Sequence, residues 1–232
     1  MTDYLYNENT VLSAMVTAQP ALLLTLSHFG IPLGFGDKTV AQVCREHNVE
    51  PAFFLLITQV YTDDAYLPSQ AVIKNTPMAN LITYLVNSHD YYLNRGLPHI
   101  QGHLIKIAAM LPSRAAKAIK QFFLAYVEEV RAHFSNEEQV VYPHIEHLLN
   151  SQAGDNYTIK DYLDHHDNLD DKLSDLVQII FKYLPAGEND DNAIDMIFDI
   201  LQLSRDLRKH SLVEEKILGP YVKHLEKQQS AR

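Results

Sequence analysis

Cysteine is nearly missing from this chain: its 232 residues include one, Cys44, and no tryptophan. A single cysteine excludes a disulfide within the chain and a thiolate-bound metal cluster, and it fits a reducing cytoplasm. Basic residues are also scarce, with 19 Lys and Arg against 29 Asp and Glu and a formal net charge of −10. That balance argues against a surface built to hold nucleic-acid phosphates. Apolar runs such as 21–26 stop far short of the roughly 20 residues that span a bilayer. The first residues, MTDYLYNENT, have no basic segment leading into an apolar one, so no signal peptide is expected. The expected location is the cytoplasm, without membrane contact.

A sizeable core is present in the composition. Hydrophobic residues make up 47% and charged residues 21%, which suits one large domain or one bundle with an appendage. Histidine is the unusual feature: nine of the twelve fall between His89 and His210.

The first third of the chain reads as short helices. One pattern covers 11–29 and is interrupted by Pro20, with Gly30 as its stop. A loop follows from Ile31 to Lys38, containing Pro32, Gly34 and Gly36. Thr39 is placed to cap a helix reaching His47, and Pro51 suits the first turn of another ending near Tyr61. Pro68 and Pro77 bracket a linker-like stretch. The expected domains are therefore 1–75, small and helical, and 76–232.

Four long helical patterns follow, at 78–110, 113–149, 158–183 and 191–225. Gly96 and Pro98 should bend the first, Pro143 should kink the second, and Gly219 with Pro220 should interrupt the fourth. The closing KQQSAR reads as a frayed tail. Strand-like alternation is missing from this half, and the connections are short. The fold class expected is all-α, an antiparallel four-helix bundle preceded by a small helical domain.

The strongest signal is an internal repeat. Moving the second half back by 77 residues puts His166 on His89, His210 on His133, Glu214 on Glu137, Glu215 on Glu138 and Pro220 on Pro143. EEKILGPYVKHL then aligns without a gap with EEQVVYPHIEHL. Each half reads His, 43 residues, then His-x-x-x-Glu. Self-similarity of this kind turns six scattered residues into one two-fold constellation.

The spacing carries the chemistry. His and Glu four apart share a helix face, so His133 with Glu137 and His210 with Glu214 can face inward, while His89 and His166 supply one imidazole each. The set amounts to four neutral nitrogen ligands and two carboxylates. Each carboxylate has two oxygens and can bridge two metals, giving each metal two nitrogens and two bridging oxygens. The mixed set in a bundle suits two iron ions with a further oxo or hydroxo bridge, ahead of manganese or zinc. A lone His-x-x-x-Glu is common on solvated helices, and an unpartnered buried glutamate is costly. Two copies at one offset, each with a further histidine at that offset, do not arise from solvated faces. His165 points about 100° away from His166 around the helix and is read as peripheral. His99 and His103 lie ten and fourteen residues beyond His89, too far to join the same site. They are read as surface residues, as are His144, His147 and His224.

At this point the residues resemble a family. HFSNEEQVVYPHIE and HSLVEEKILGPYV look like the two HxxxE(E)xxxxP motifs of hemerythrin-like (HHE) domains, and among these the chain resembles the repair-of-iron-centres (RIC) di-iron proteins. SHDYYLNRGLP resembles that family's first-helix motif and HHDNLDDKL its third-helix His-Asp motif, which selects His166 over His165. FGIPLGFGDKTVAQVC has the shape of the family's N-terminal signature, but Gly34 and Phe35 stand where the family has two adjacent cysteines. The resemblance implies a di-iron protein meeting oxygen, nitric oxide or peroxide, in oxidative or nitrosative stress or in repair of iron–sulfur centres. Any part of that role needing the cysteine pair is in doubt.

Two other functions compete with this one. One is an oxygen or redox sensor with the bundle as its input, and the other is iron or oxygen binding without catalysis. KTVAQVCREHNVEPAFFLLITQVY has the outline of a helix-turn-helix, yet residues 1–75 hold three basic residues (Lys38, Arg45, Lys74) against seven acidic ones. DNA is not the expected partner; docking to a protein, or to a second copy, through this apolar segment is.

Overall fold

The structure, a computed structural model, describes residues 5–150, 157–164, 169–184 and 191–230. The N-terminal helices begin and end at the expected signals. Pro20 separates α1 (Leu12–Ala18) from α2 (Leu22–His28), because proline cannot donate into a helix interior. Gly30 follows α2 at φ +68°, a left-handed position that glycine occupies without Cβ strain. Thr39 opens α3 (Val40–Glu46) with a reciprocal capping box: the Gln42 amide donates to the Thr39 hydroxyl and the Thr39 amide to the Gln42 side chain. Asn48 closes α3 at φ 55°, and Pro51 starts α4 (Pro51–Thr62). The short α5 (Gln70–Lys74) lies between Pro68 and Pro77.

The four long patterns are helical, and three of them pass through a π-helical turn. The first is α6 (Met78–Tyr91), π1 (Tyr92–Gly96) and α7 (Leu97–Ala108). The second is α8 (Ser113–Asn136), π2 (Glu137–Val141) and α9 (Tyr142–Leu149). The third contains α10 (Ile159–Asp164) and α11 (Leu169–Tyr183), with 165–168 outside the described residues. The fourth is α12 (Asp191–Val213), π3 (Glu214–Leu218) and α13 (Gly219–Ser230). Helix therefore continues through Lys227 to Ser230, where a frayed tail was expected.

The bends expected at proline take one form throughout. The residue before each proline donates its N–H five residues back: Leu97 to Tyr92, Tyr142 to Glu137 and Gly219 to Glu214. Proline has no N–H, and its ring collides with the carbonyl four residues earlier. One extra residue in the turn widens the helix and relieves that collision without breaking it. The turns at Glu137 and Glu214 sit 77 residues apart, so the backbone repeats with the sequence.

The all-α, antiparallel four-helix bundle expected from the sequence is the architecture found. Its residues form two compact units: Met1–Ser88 with His144–His165 and Lys209–Arg232, and His89–Pro143 with His166–Arg208. The second unit contains a core drawn from four helices. Ile100, Leu104 and Ile107 of α7 and Phe123, Tyr126 and Val130 of α8 meet Leu173, Leu176 and Ile180 of α11 and Met196, Ile200 and Leu203 of α12. The three- and four-residue spacing on every helix is what an inward stripe requires. Gly96 permits a close approach, since a Cβ there would stand 3.0 Å from Leu203 Cδ1.

In the first unit the N-terminal helices pack on bundle residues. Phe29 meets Phe54 at 5.1 Å and Tyr84 of α6 at 4.7 Å between ring centroids. Asn87 Nδ2 donates to the His28 carbonyl at 2.9 Å. Lys209 donates to Asp64 and to the Val60 carbonyl, and Lys216 to the Tyr66 carbonyl at 2.9 Å. The acidic N-terminal segment thus receives lysines from the fourth helix. Phe54 is 1% exposed within this aromatic cluster. Phe54→Ala should lower unfolding free energy by about 3–5 kcal/mol, read from denaturant midpoints. A change inside experimental error would mean the N-terminal helices contribute little to the fold.

Candidate metal centre

Two half-sites, one in each unit, contain five of the six residues singled out by the repeat. In the second unit His89 lies in the last turn of α6, His133 in the last turn of α8, and Glu137 opens π2. Glu137 is fully buried and divides its oxygens between two imidazoles. Oε1 lies 2.9 Å from His133 Nε2, and Oε2 lies 3.1 Å from His89 Nε2. The far nitrogen of His89, Nδ1, lies 2.8 Å from Glu138 Oε1. A carboxylate only accepts, so Nδ1 carries a proton toward Glu138, and Nε2 is the nitrogen available to a cation held with Glu137. Phe134 fixes the ring plane, stacked on His89 at 4.0 Å and 9°.

The half-site of the first unit repeats this logic with a different partner. His210 lies in the last turn of α12, and Glu214 opens π3, fully buried. His210 Nε2 is 3.4 Å from Glu214 Oε1, and its Nδ1 is 2.8 Å from Ser88 Oγ. Ser88 gives its single proton to the Leu85 carbonyl at 2.6 Å. It therefore accepts from His210 Nδ1–H, which leaves Nε2 as the nitrogen facing the glutamate. Ser88 is also the residue immediately before His89 in α6. His166, the sixth residue, and His165 beside it lie outside the described residues.

The donor set fits a metal ion. In both half-sites the inner imidazole nitrogen and a carboxylate oxygen face one another in a buried place, and both can serve as donors to one cation there. Two donors held about 2.1 Å from one ion and about 90° apart are about 3.0 Å from each other, close to the separations around Glu137. Imidazole with carboxylate suits iron, manganese or zinc. The Nδ1 partners, Ser88 and Glu138, were not found from the sequence. Partners of this kind orient ligating histidines and raise their basicity. The Glu-Glu pair was visible in the repeat, but which side chain turns toward His89 is decided by helix packing.

Other expectations fare differently. His147 is exposed as expected, and His224 is half-buried. His144 is only 3% exposed, a correction to its reading as a surface residue: its Nε2 lies 3.4 Å from Glu226 Oε1 and its ring meets Tyr157 edge-on at 5.3 Å. Glu226 also accepts from the Ile159 amide at 2.8 Å, so His144 belongs to a junction that holds the start of α10. The helix-turn-helix outline fails physically, since α4 is buried from Phe53 to Tyr61 and has no face to offer a groove. The same burial removes α4 as a docking surface. Among the described residues no helix is long and apolar enough to cross a membrane.

Cys44 is 1% exposed, and burial together with the Glu8 carboxylate pushes its thiol up to about 12. It is not a reactive thiolate at neutral pH. Gly34, one of the two residues at the missing cysteine pair, has φ +102°.

Comparison with known proteins gives a consistent picture. Residues 81–222 match the family described as Hemerythrin HHE cation binding domain. The chain is also similar to the iron-sulfur cluster repair protein YtfE of Salmonella paratyphi B, Salmonella newport and Salmonella heidelberg. Each is 22% identical over 191 residues, covering 80% of this chain and 83% of the relative.

Two outcomes follow from the site geometry. Glu138→Leu and Ser88→Ala should each weaken metal retention by about 10–100-fold against a competing chelator, while the fold survives. Equal retention in both variants would remove the Nδ1 partners from the account. Cys44 should resist iodoacetamide in the native protein at pH 8 and react once the chain is unfolded in urea. Burial raises its folded-state pKa above that of a solvated thiol, so the native chain holds a thiol where the unfolded chain begins to form thiolate. Fast native labelling would contradict this burial.

Proposed function

Because this chain belongs to the hemerythrin HHE cation-binding family, which implies iron binding, we propose that it is a cytoplasmic di-iron protein that meets oxygen, nitric oxide or peroxide. Its ligands are His89, His133, His166, His210, Glu137 and Glu214. The observation that carries this reading is Glu137, fully buried with one oxygen toward His133 and the other toward His89. A carboxylate so divided is arranged to bridge two ions. The 77-residue repeat supplies Glu214 as its counterpart.

Bound iron would supply the redox chemistry of small diatomic molecules. The chain's own residues do the rest. Glu137 and Glu214 provide negative charge where water is excluded, which strengthens their hold on a cation. Glu138 and Ser88 keep protons on the outer nitrogens of His89 and His210, so the inner nitrogens remain ligands. Phe134 and Tyr142 stack along His89, with Tyr92 behind Phe134, and these rings limit solvent at that ligand.

The biological role we propose is a response to oxidative or nitrosative stress, through repair of damaged iron–sulfur centres. Support comes from the similarity to YtfE proteins named for such repair. Gly34 and Phe35 in place of the cysteine pair, together with the buried Cys44, mean that cysteine chemistry in residues 1–75 does not contribute. A redox sensor is the second reading, and one observation favours it. Lys209 and Lys216, which flank His210 and Glu214 in sequence, hold the carbonyls of Val60 and Tyr66. A change of charge at the ligands therefore has a direct route to residues 60–66. We read residues 1–75 as the domain that would carry such a signal to a protein partner or a second copy. Exposed Leu33 and Leu67 are available to that partner, whereas α4 is not.

The test begins with metal. Aerobically purified protein should contain two irons per chain and absorb in the near ultraviolet, and reduction should bleach that band. Glu137→Ala or Glu214→Ala should remove at least one iron, while His165→Ala should not. One tightly held ion with no effect of Glu137→Ala would refute the dinuclear reading. Reduced protein should react with oxygen, nitric oxide or peroxide, and inertness to all three would make the site structural. Restored activity of damaged iron–sulfur enzymes supports repair. A redox-dependent change in hydrogen exchange at residues 60–66, without such restoration, supports the sensor.

A further inference from the structure

A second cluster of metal-binding side chains stands apart from the six residues above. His99 and His103 are one turn apart on α7, and Asp199 belongs to α12, all within the second unit. Their donor atoms converge. Asp199 Oδ2 lies 3.2 Å from His99 Nε2 and 3.5 Å from His103 Nε2, and the two Nε2 atoms are 3.4 Å apart. Four ligands about 2.0–2.1 Å from a tetrahedral ion stand about 3.3–3.4 Å from one another. The three donors therefore outline one face of such a tetrahedron, with the fourth corner open.

A neighbouring side chain sets the protonation of the cluster. His103 Nδ1 lies 2.7 Å from Asn192 Oδ1, and Asn192 Nδ2 donates to the His103 carbonyl at 3.3 Å. The second bond fixes which way the amide points, so Oδ1 is the atom facing the ring and His103 Nδ1 must donate to it. The neutral ring then carries its lone pair on Nε2, toward His99 and Asp199. This is the outer contact that a ligating histidine characteristically makes. With His103 in that form, three electron-rich atoms converge. A proton on His99 Nε2 can bridge to only one of the other two, whereas a metal ion satisfies all three.

We propose that His99, His103 and Asp199 form a second metal site for one divalent late first-row ion, zinc being the best match to a tetrahedral nitrogen and oxygen set. The site is open to solvent: the side chains of His99 and Asp199 are 66% and 36% exposed, and that of His103 is 14% exposed. It is thus filled and emptied from solution, unlike the buried iron ligands. It shares no residue with them and stands whether or not the di-iron reading does. Asn192 is a positioning residue that acts through His103.

The probe is zinc alone, titrated into the full-length, iron-loaded chain in competition with a chromophoric chelator, with iron measured in the same samples. One zinc per chain should bind in addition to the iron, and the iron content should not change. His103→Ala and Asp199→Asn should each weaken zinc at least about ten-fold, and their circular dichroism and iron content should match the parent. Asn192→Leu should weaken zinc by about 10–100-fold, while Asn192→Asp, which keeps an acceptor toward His103 Nδ1, should retain it. Replacing zinc with cobalt(II) should give the visible absorption of a tetrahedral ion, lost in His103→Ala. Absence of any zinc beyond the iron, or undiminished zinc in a His99→Ala, His103→Ala double variant, would overturn the proposal and leave a hydrogen-bonded trio.

Discussion

Two carboxylates with no access to water set the terms for this protein. Glu137 and Glu214 are both 0% exposed, and an ionised carboxylate in such a place costs on the order of several kcal/mol unless charge and hydrogen bonds are returned to it. The fold answers by bringing imidazoles to their oxygens: His89 and His133 to Glu137, and His210 to Glu214. Glu138 and Ser88 take the outer N–H groups of His89 and His210, so the inner nitrogens face the glutamates. Nitrogens and carboxylate oxygens gathered in this way are donors suited to a cation. On a solvated face His99, His103 and Asp199 gather donor atoms in a similar way, where water lowers the cost.

Both buried glutamates owe their placement to the backbone as much as to the helix face. Each begins a π-helical turn, and each has its carbonyl taken by the amide five residues on, directly before a proline. The widened turn lets the helix continue through Pro143 and Pro220. It also shifts the side chains beyond it relative to those before it. A proline that reads as a bend in the sequence is therefore part of how each buried glutamate is presented, in keeping with the frequent occurrence of such turns at functional sites.

The N-terminal helices serve the fourth long helix directly. Lys209 and Lys216 each lie within two residues of a proposed ligand, and both reach carbonyls of residues 60–66. The acidic bias of residues 1–75, which speaks against DNA, has a local explanation here: part of it receives these lysines. Buried apolar residues of α4 complete the layer. Cys44 lies among these packed helices as a small, buried core residue.

Much of this was legible before any coordinates. Periodicity and proline, glycine and threonine signals located the helices because those effects are local: Thr39 caps, Pro20 breaks and Gly30 turns through interactions within a few residues. The five described residues of the repeat were legible as candidates because the repeat presents them at one offset of 77 residues, and the structure buries Glu137 and Glu214 at equivalent turns. The tertiary structure alone decided the rest. It placed Ser88 and Glu138 behind the histidines, turned proline kinks into π-helical turns, buried His144 against Glu226 and brought Asp199 to a histidine pair one helix away. Each of these depends on contacts between residues tens of positions apart or on a choice between backbone registers, and a one-dimensional pattern contains neither. The sequence by itself determined which chemistry is available; packing between helices decided which nitrogen bears the proton and which carboxylate it faces.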